Sequence, residues 1–380
     1  MPHTVLSVIS TLRRCGPVNV LAGIIKNYAP GKYRSVVTTL SPETCDSILP
    51  NLQSGGVPIA EMKLSRAESL LVGRRRLGQV MAQWNADLVH CHGFRANALM
   101  AACAPQIPVV STVHCDLSAE YCSSYGETLG SIMVWREYAA LRQFGCAVAV
   151  SRTAAVAAES HGVHCAVIPN GIDLDLYCPP RDAWEKALCR RGLGLPAEWV
   201  VVLHTGALNS LKRPIDVIAG FRSATLSQNA VLVMAGDGPL RCACERAAAG
   251  TRNILFLGNR ADIPDLLRAS DVVISNSSSE GLPLALLEAC ACGVRVIASD
   301  IPAHREIQLR FPQQVSLFAA RGAKALAAAL DEHSPGAMAH TFKPPADSLC
   351  AISSRRMSLS YQALYQTLLA RDRRPAELLA

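Results

Sequence analysis

Apolar residues along this chain gather in short unbroken runs instead of alternating with polar ones. Thr4–Ser10, Ser35–Leu40, Asp87–His92, Pro108–His114, Cys146–Ser151 and Cys165–Pro169 are rich in Val, Ile, Leu and Ala. Such runs predict parallel strands buried on both faces. Segments of helical period lie between them, for example Pro17–Tyr28 and Ser131–Arg142. The second half repeats the theme, with strands predicted over Trp199–His204, Ala230–Ala235, Ile254–Leu257, Asp271–Ser275, Arg295–Ser299 and Val315–Ala319. Helices are predicted over Pro214–Arg222, Pro239–Ala248, Ile263–Ala269, Leu284–Cys292 and Ala323–Leu330. Strand–helix alternation of this length predicts two doubly wound α/β domains. Asn170 to Pro196 is polar, carries Pro179-Pro180 and Gly192-Leu-Gly194, and is expected to link them. Beyond Leu330 the pattern turns irregular through His333–Gly336 and Lys343–Pro345, then helical again over Ser353–Arg371. The expected division is 1–175, 176–350 and a terminal helix and tail at 351–380.

Composition narrows the class. With 380 residues, half of them hydrophobic and 18% charged, the chain is neither disordered nor, given 25 Gly and 22 Pro, a long coiled coil. Fifteen cysteines include no C-x-x-C pair, and several sit in apolar runs such as Cys290 and Cys292, so reduced buried thiols are expected. The run from Met1 to Ser10 is too short for a signal peptide. The longest apolar stretch, Leu282–Ser299, is interrupted by Glu288 and Arg295, which makes it a poor membrane span. A soluble cytoplasmic protein is expected. The formal charge of +7 is spread over both halves and is too mild for a nucleic-acid partner. One run stands apart: Arg74-Arg75-Arg76, inside Leu64–Trp84, where Leu70, Leu71, Leu77, Val80, Met81 and Trp84 recur at roughly helical spacing. It reads equally as an ordinary solvated helix face and as a basic amphipathic helix lying on an anionic membrane surface.

Open parallel sheets bind ligands at the carboxyl ends of their strands, and the candidate chemistry falls there. Ser277-Ser-Ser-Glu-Gly-Leu-Pro-Leu-Ala-Leu-Leu-Glu288 follows the Asp271–Ser275 strand. Gly281 permits close backbone approach, Pro283 suits a first helical turn, and the Gly281 and Leu282 amides would make an anion site at the helix start. Two acids, Glu280 and Glu288, around an anion site fit a ligand that bears hydroxyls as well as phosphates. The loop His204–Pro214 offers Gly206 for a turn and Lys212 to neutralise phosphate. Gly236-Asp-Gly-Pro239 is a third tight turn after a strand. Asp173-Leu-Asp175 matches a metal-binding D-x-D pattern but follows Pro-Asn-Gly in the linker-side loop, and His90-Cys-His92 could be ligands but alternate along a strand end with no carboxylate or cysteine cluster joining them; the expectation is no metal. A dehydrogenase would need G-x-G-x-x-G after a first strand, and neither Thr11–Gly16 nor Gly206–Leu211 supplies it.

Taken together, residues 199–300 resemble the donor domain of glycosyltransferase family 4, a group with the GT-B fold. The resemblance is carried by Gly206 to Lys212, Gly236-Asp-Gly-Pro239 and above all Glu280-Gly-Leu-Pro-Leu-Ala-Leu-Leu-Glu288, an E-x7-E signature, ahead of Ala-Cys-Ala-Cys-Gly293. It extends to the first half through Arg14-Cys-Gly-Pro-Val-Asn-Val20, Val89-His-Cys-His-Gly93, Thr112-Val-His114 and Val167-Ile-Pro-Asn-Gly-Ile-Asp173, so that it spans about Thr4 to Glu306. It implies two Rossmann-like domains facing a cleft, the terminal helix packing back on the first, and a retaining enzyme with a nucleotide-sugar donor, UDP- or GDP-linked. The roles implied are Glu280 on the transferred sugar, Glu288 on the ribose, and Lys212 with the Gly281, Leu282 and Pro283 turn on the diphosphate. Gly258, Asn259 and Arg260 would face the base. His114 would approach the sugar from the other domain, with Gly16, Pro17 and His92 on the phosphate and acceptor side. No cofactor or metal is implied, since cationic protein groups do the metal's task. A lipid-linked glycan acceptor in surface-polysaccharide, lipopolysaccharide or O-antigen assembly is expected, at the cytoplasmic face of an inner membrane. The chain departs from the family at Ala207, where an Arg is common. A sugar-nucleotide epimerase and a non-catalytic nucleotide-sugar binder are the rival readings.

Overall fold

The structure is a computed structural model that describes residues 1–319, 322–333 and 341–372. The irregular stretch expected just after His333 and the tail after residue 372 lie outside the described residues. The chain forms two compact units: Met1–Gly171 together with the chain from Ser354 onward, and Ile172–Ser353.

The first unit holds seven parallel strands: β1 His3–Ile9, β2 Tyr33–Thr39, β3 Ile59–Glu61, β4 Leu88–His92, β5 Val109–Val113, β6 Cys146–Ala149 and β7 Cys165–Val167. Their order is β3-β2-β1-β4-β5-β6-β7, so the winding reverses between β1 and β4. β1, β4 and β5 are buried along almost their whole length, as expected for Val-rich strands covered by helices on both faces. The helix Ser354–Asp372 returns to this unit and packs on the helix Gly16–Lys26. It buries Met357, Tyr361, Tyr365, Leu368 and Leu369, spaced to fall on one face. The contact is close at Gly23, where a Cβ would lie 3.3 Å from both Met357 and Ser354. Hydrogen bonds from Ser358 Oγ to the Ile24 carbonyl (2.8 Å) and from the Tyr33 hydroxyl to the Gln362 carbonyl (2.9 Å) fasten it.

The second unit holds six parallel strands: β8 Val200–Thr205, β9 Ala230–Ala235, β10 Ile254–Gly258, β11 Val272–Ser275, β12 Arg295–Ser299 and β13 Val315–Phe318. The order β10-β9-β8-β11-β12-β13 reverses between β8 and β11. Both units are therefore Rossmann-like and doubly wound.

Three expectations change. The segment Leu64–Trp84 is not one amphipathic helix: it breaks at Val72 into Arg66–Leu71 and Gly73–Gln83. Leu77 is buried, whereas Leu70 and Leu71 are each 83% exposed. The zone Asn170–Pro196 is not a bare linker, since it contains a helix, Ala183–Gly192, capped by Asp182 and packed on the helix Ile263–Ala269. Finally, β3 and the helix Leu49–Ser54 arise where no element was expected. β3 is a three-residue edge strand, too short to leave a periodic signal.

Candidate active site

The carboxyl ends of β8, β9 and β10 meet backbone to backbone. The Gly206 amide donates to the Ala235 carbonyl (3.0 Å), the Gly236 amide to the Gly258 carbonyl (2.8 Å), and the Leu208 amide to the Asp237 carbonyl (3.0 Å). Gly236 has φ +150°, and a Cβ there would fall 1.9 Å from the Gly206 carbonyl oxygen. No side chain fits, so the three turns form a floor of bare backbone. Gly236→Ala is expected to cost about 1–3 kcal/mol of stability and to splay this floor. Urea melts together with nucleotide-sugar affinity would check it, and a parent-like value for both would disprove the packing.

Beside that floor stands the central pair. Lys212 Nζ contacts Glu280 Oε1, and Ser277 Oγ donates to the same oxygen at 2.7 Å. The pair is largely enclosed, with the Lys212 and Glu280 side chains 22% and 11% exposed. Two ties set its geometry: the Lys212 amide donates to Asn209 Oδ1 (3.0 Å), and the Ser278 amide donates to the Leu211 carbonyl (2.7 Å), which joins the loop after β8 to the loop after β11. Burial pushes the Glu280 carboxyl up, but the charge and hydrogen bond of Lys212 outweigh it and hold the group below the usual carboxylate range.

Residues not singled out from the sequence complete the cluster. His304, in the first turn of the helix Pro302–Arg310, directs Nδ1 at the Ser299 carbonyl (2.7 Å), which fixes the proton there and leaves Nε2 as an acceptor. Ser299 Oγ donates to the Ser277 carbonyl at 2.6 Å. His204 directs Nδ1 at the Ile274 carbonyl (3.2 Å), and burial lowers its pKa to about 4. His204 Nε2, His304 Nε2 and both side-chain amide atoms of Asn276 are buried and find no partner among the described residues. Buried polar atoms are nearly always hydrogen-bonded. Four such atoms on residues at or just beyond the ends of β8, β11 and β12 fit a ligand rich in hydroxyls and phosphate oxygens. The only sequence signal for these residues was their place after a strand.

Glu288 is placed differently. It lies inside the helix Leu284–Ala291, 7% exposed, and accepts a hydrogen bond from the Tyr177 hydroxyl. Tyr177 comes from the expected linker, where its amide donates to the Asp173 carbonyl (2.9 Å). Burial pushes the Glu288 carboxyl up to about 7. Since the folded value is raised above the unfolded one, this group's contribution to stability is greatest below pH ~4.5 and is lost as pH rises through about 7. Glu288→Gln is therefore expected to be more stable than the parent at mildly alkaline pH, by up to about 3 kcal/mol, and to flatten the pH dependence of the melting temperature. A profile parallel to the parent's would refute this.

The remaining expected residues fall as follows. Pro283 is the cap and not the first helical residue, and with Gly281 and Leu282 it is buried. Gly258 has φ +65° at an irregular strand end. Asn259 and Arg260 are exposed, and Arg260 is engaged with Asp262 at 2.7 and 2.5 Å. Arg213 occupies the left-handed region at φ +48° and caps the helix Pro214–Ser223, while Ala207 is exposed. Asp173 Oδ1 accepts from the Asp175 amide (3.2 Å), so the D-x-D pair shapes a turn. Among the described residues, no group of three or more His, Cys, Asp or Glu could hold a metal ion.

In the first unit, His92 Nδ1 and His114 Nε2 are 3.0 Å apart with rings stacked. His90 bonds the Tyr365 hydroxyl and Thr112 Oγ1, both at 2.7 Å, which ties this cluster to the terminal helix. Burial lowers His114 to about 4 and His90 to about 3, and moves His92 in the same direction. The three rings are neutral at neutral pH and act as hydrogen-bonding groups. Gly16 is exposed and opens the helix Gly16–Lys26, with Pro17 in its first turn.

Two doubly wound units with glycine turns and a cationic residue at strand ends are the frame of a GT-B glycosyltransferase. Residues 36–176 match the family described as Glycosyltransferase Family 4, and residues 200–333 match Glycosyl transferases group 1. The chain belongs to glycosyltransferase family 4. It is similar to the UDP-Gal:alpha-D-GlcNAc-diphosphoundecaprenol alpha-1,3-galactosyltransferase of Escherichia coli, 35% identical over 36% of each chain. It is also similar to the N-acetyl-alpha-D-glucosaminyl L-malate synthase of Bacillus anthracis, 25% identical over 70% of each. The Anabaena protein Alr3699/HepE, solved in complex with UDP-glucose, has the same fold at a TM-score of 0.80, with 20% identity over 96% of this chain and 99% of that one. The chain is thus an enzyme that transfers a sugar from a nucleotide-sugar donor.

Proposed function

We propose that this chain is a retaining hexosyltransferase that moves a hexose or N-acetylhexosamine from a UDP- or GDP-linked donor to a lipid-linked glycan in surface-polysaccharide, lipopolysaccharide or O-antigen assembly. The observation that carries the reading is the enclosed Lys212–Glu280 pair beside a floor of bare glycine backbone and orphaned polar atoms. A pyrophosphate can lie on the floor and share the Lys212 ammonium, while Glu280, with Ser277 behind it, turns to sugar hydroxyls. Glu288, oriented by Tyr177, takes the ribose. The E. coli relative's name, which joins a UDP-sugar to a diphosphoundecaprenol acceptor, supports the donor class and the lipid linkage.

The bond from the anomeric carbon to the diphosphate oxygen breaks, and the acceptor hydroxyl bonds to that carbon on the same face. Its proton passes to the departing phosphate. Negative charge grows on the β-phosphate, where Lys212 and the amides before the helix Leu284–Ala291 stabilise it. Because fixed protein charge does this, transfer is expected to survive a chelator.

The test is release of nucleoside diphosphate from a panel of UDP- and GDP-sugars with and without a lipid-linked acceptor, in the presence of EDTA. Release that needs acceptor and ignores EDTA supports the reading. Donor conversion without acceptor, or no release from any donor, would overturn it.

A further inference from the structure

The serine hydroxyls around the Lys212–Glu280 pair spend their protons within the protein. Ser277 Oγ donates to Glu280 Oε1 at 2.7 Å, and Ser275 Oγ, 3.2 Å from Ser277 Oγ, is left to donate to it. Ser299 Oγ donates to the Ser277 carbonyl at 2.6 Å, and Ser278 Oγ to the Leu211 carbonyl at 3.2 Å. The two histidines beside them are fixed as well. A backbone carbonyl can only accept, so His304 Nδ1, 2.7 Å from the Ser299 carbonyl, and His204 Nδ1, 3.2 Å from the Ile274 carbonyl, each carry the ring proton. Their Nε2 atoms are therefore bare lone pairs. Burial lowers the pKa of both rings, that of His204 to about 4, so neither gains a second proton at neutral pH.

Both nitrogens are enclosed, and both rings feel the charges of Lys212 and Glu280. His204 lies on β8 and His304 on the helix after β12, so the two strands that place them flank β11, whose loop carries Glu280. That is the end of the sheet where the winding reverses, the usual place for a ligand. What this wall offers is mainly acceptance: two imidazole lone pairs, the Glu280 carboxylate and the Asn276 side-chain oxygen. Its donors are the Lys212 ammonium and the Asn276 amide. The oxygens of an ionised diphosphate also only accept, so they pair with Lys212 and leave the lone pairs unanswered. A sugar hydroxyl carries the proton that an imidazole lone pair needs.

We propose that His204 and His304 are specificity-determining residues: their Nε2 atoms accept hydrogen bonds from hydroxyls of the transferred sugar, so that the enzyme selects donors keeping those hydroxyls over their deoxy counterparts. This deepens the donor-site reading and rests on it, since under that reading the ribose falls to Glu288 and the diphosphate to Lys212.

The test is calorimetric binding of the full chain to UDP, GDP, UDP-glucose, UDP-galactose and GDP-mannose, and to the same sugar nucleotides with fluorine in place of the 3-, 4- or 6-hydroxyl. Fluorine nearly keeps the size of the hydroxyl and removes its proton. For a sugar nucleotide that binds, at least one fluorinated form is expected to bind about 10–10²-fold more weakly, because it leaves a buried lone pair unpaired. His304→Leu and His204→Leu should each weaken the hydroxyl-bearing donor about tenfold, leave the bare nucleoside diphosphate unchanged and shrink the loss caused by fluorine. His304→Gln, which keeps an acceptor on a side chain of similar reach, should recover most of the affinity. The parent measured with the fluorinated series needs no variant, so a poorly folding His304→Leu does not block the result. Fluorinated forms that all bind like the hydroxyl-bearing ones would mean that the two nitrogens hold buried water only, and the proposal falls. It falls equally if the leucine variants weaken UDP or GDP as much as the sugar nucleotides. If the bare nucleotides bind and no hydroxyl is read, the donor site stands and this proposal alone fails; if no nucleotide binds at all, both fail.

Discussion

Lys212→Met is expected to lower sugar transfer by about 10²–10³-fold, the loss that follows when a preorganised charge is removed from a developing oxyanion. The ammonium is held in place: its loop is capped by Asn209 and tied to Ser278, and its Nζ lies against Glu280 Oε1. The same substitution has a structural cost, because it leaves the Glu280 carboxyl enclosed without a counter-ion. The two effects separate in a double variant. Lys212→Met with Glu280→Gln should melt closer to the parent than Lys212→Met alone, because no unpaired charge remains, yet it should not regain transfer. The pH profile gives a second readout. In the parent, the Glu280 carboxyl is held below its usual value, so its contribution is present above pH ~4.5 and is lost as pH falls through the lowered value. Without Lys212, burial dominates and the sign reverses: stability then falls as pH rises. Near-parental transfer in Lys212→Met would remove the donor-site assignment, and an unreversed profile would remove the account of the pair.

Much of the fold was legible because parallel strands buried on both faces leave unbroken Val- and Ile-rich runs; β8, β9, β11 and β12 lie within one residue of the expected spans. What failed depended on distant contacts. The break at Val72 falls where Gly73 seats against Leu99, a residue from another helix, so the periodicity through Leu70, Leu71 and Leu77 misled. The helix Ala183–Gly192 looked like linker because its anchor, Arg190, finds its partner 81 residues away. The site divides in the same way. Gly206, Gly236, Lys212 and Glu280 were visible because a glycine turn or a charged residue after a strand is a local signal. His204, Asn276 and His304 come together only once folding brings their strand ends side by side, and Tyr177 meets Glu288 from 111 residues away; a single sequence carries no mark of either. Glu288 shows the limit of motif reasoning. The signature marked it as the second acid, on the ribose, but gave no sign of its partner Tyr177 or of its raised pKa.

The largest stability effect belongs to a residue with no part in binding. Asp271 precedes β11 at the end of the sheet opposite the site, 3% exposed. Its carboxylate accepts from Lys186 Nζ (2.7 Å), Arg190 Nη2 (2.5 Å) and the Val201 amide (2.7 Å), while its own amide donates to the Val201 carbonyl (2.9 Å). One side chain therefore clamps β8 to β11 and draws the helix Ala183–Gly192 onto the sheet. Arg190 cannot turn to water, since Nε and Nη1 are spent on the carbonyls of Ala269 (3.0 Å) and Ala197 (2.7 Å). Asp271→Ala strands this buried cation, at an expected cost of about 3–5 kcal/mol. Against a typical total of about 5–15 kcal/mol, that loosens or unfolds the second unit. Urea unfolding followed by tryptophan fluorescence should show the second unit's transition moved to lower denaturant and the first unit's unchanged. Pairing Asp271→Ala with Arg190→Met should recover part of the loss, because the stranded charge is gone and only the clamp on β8 is missing. A single variant that unfolds with the parent, or a double variant no better than the single, would mean that the ion cluster does not hold this unit together.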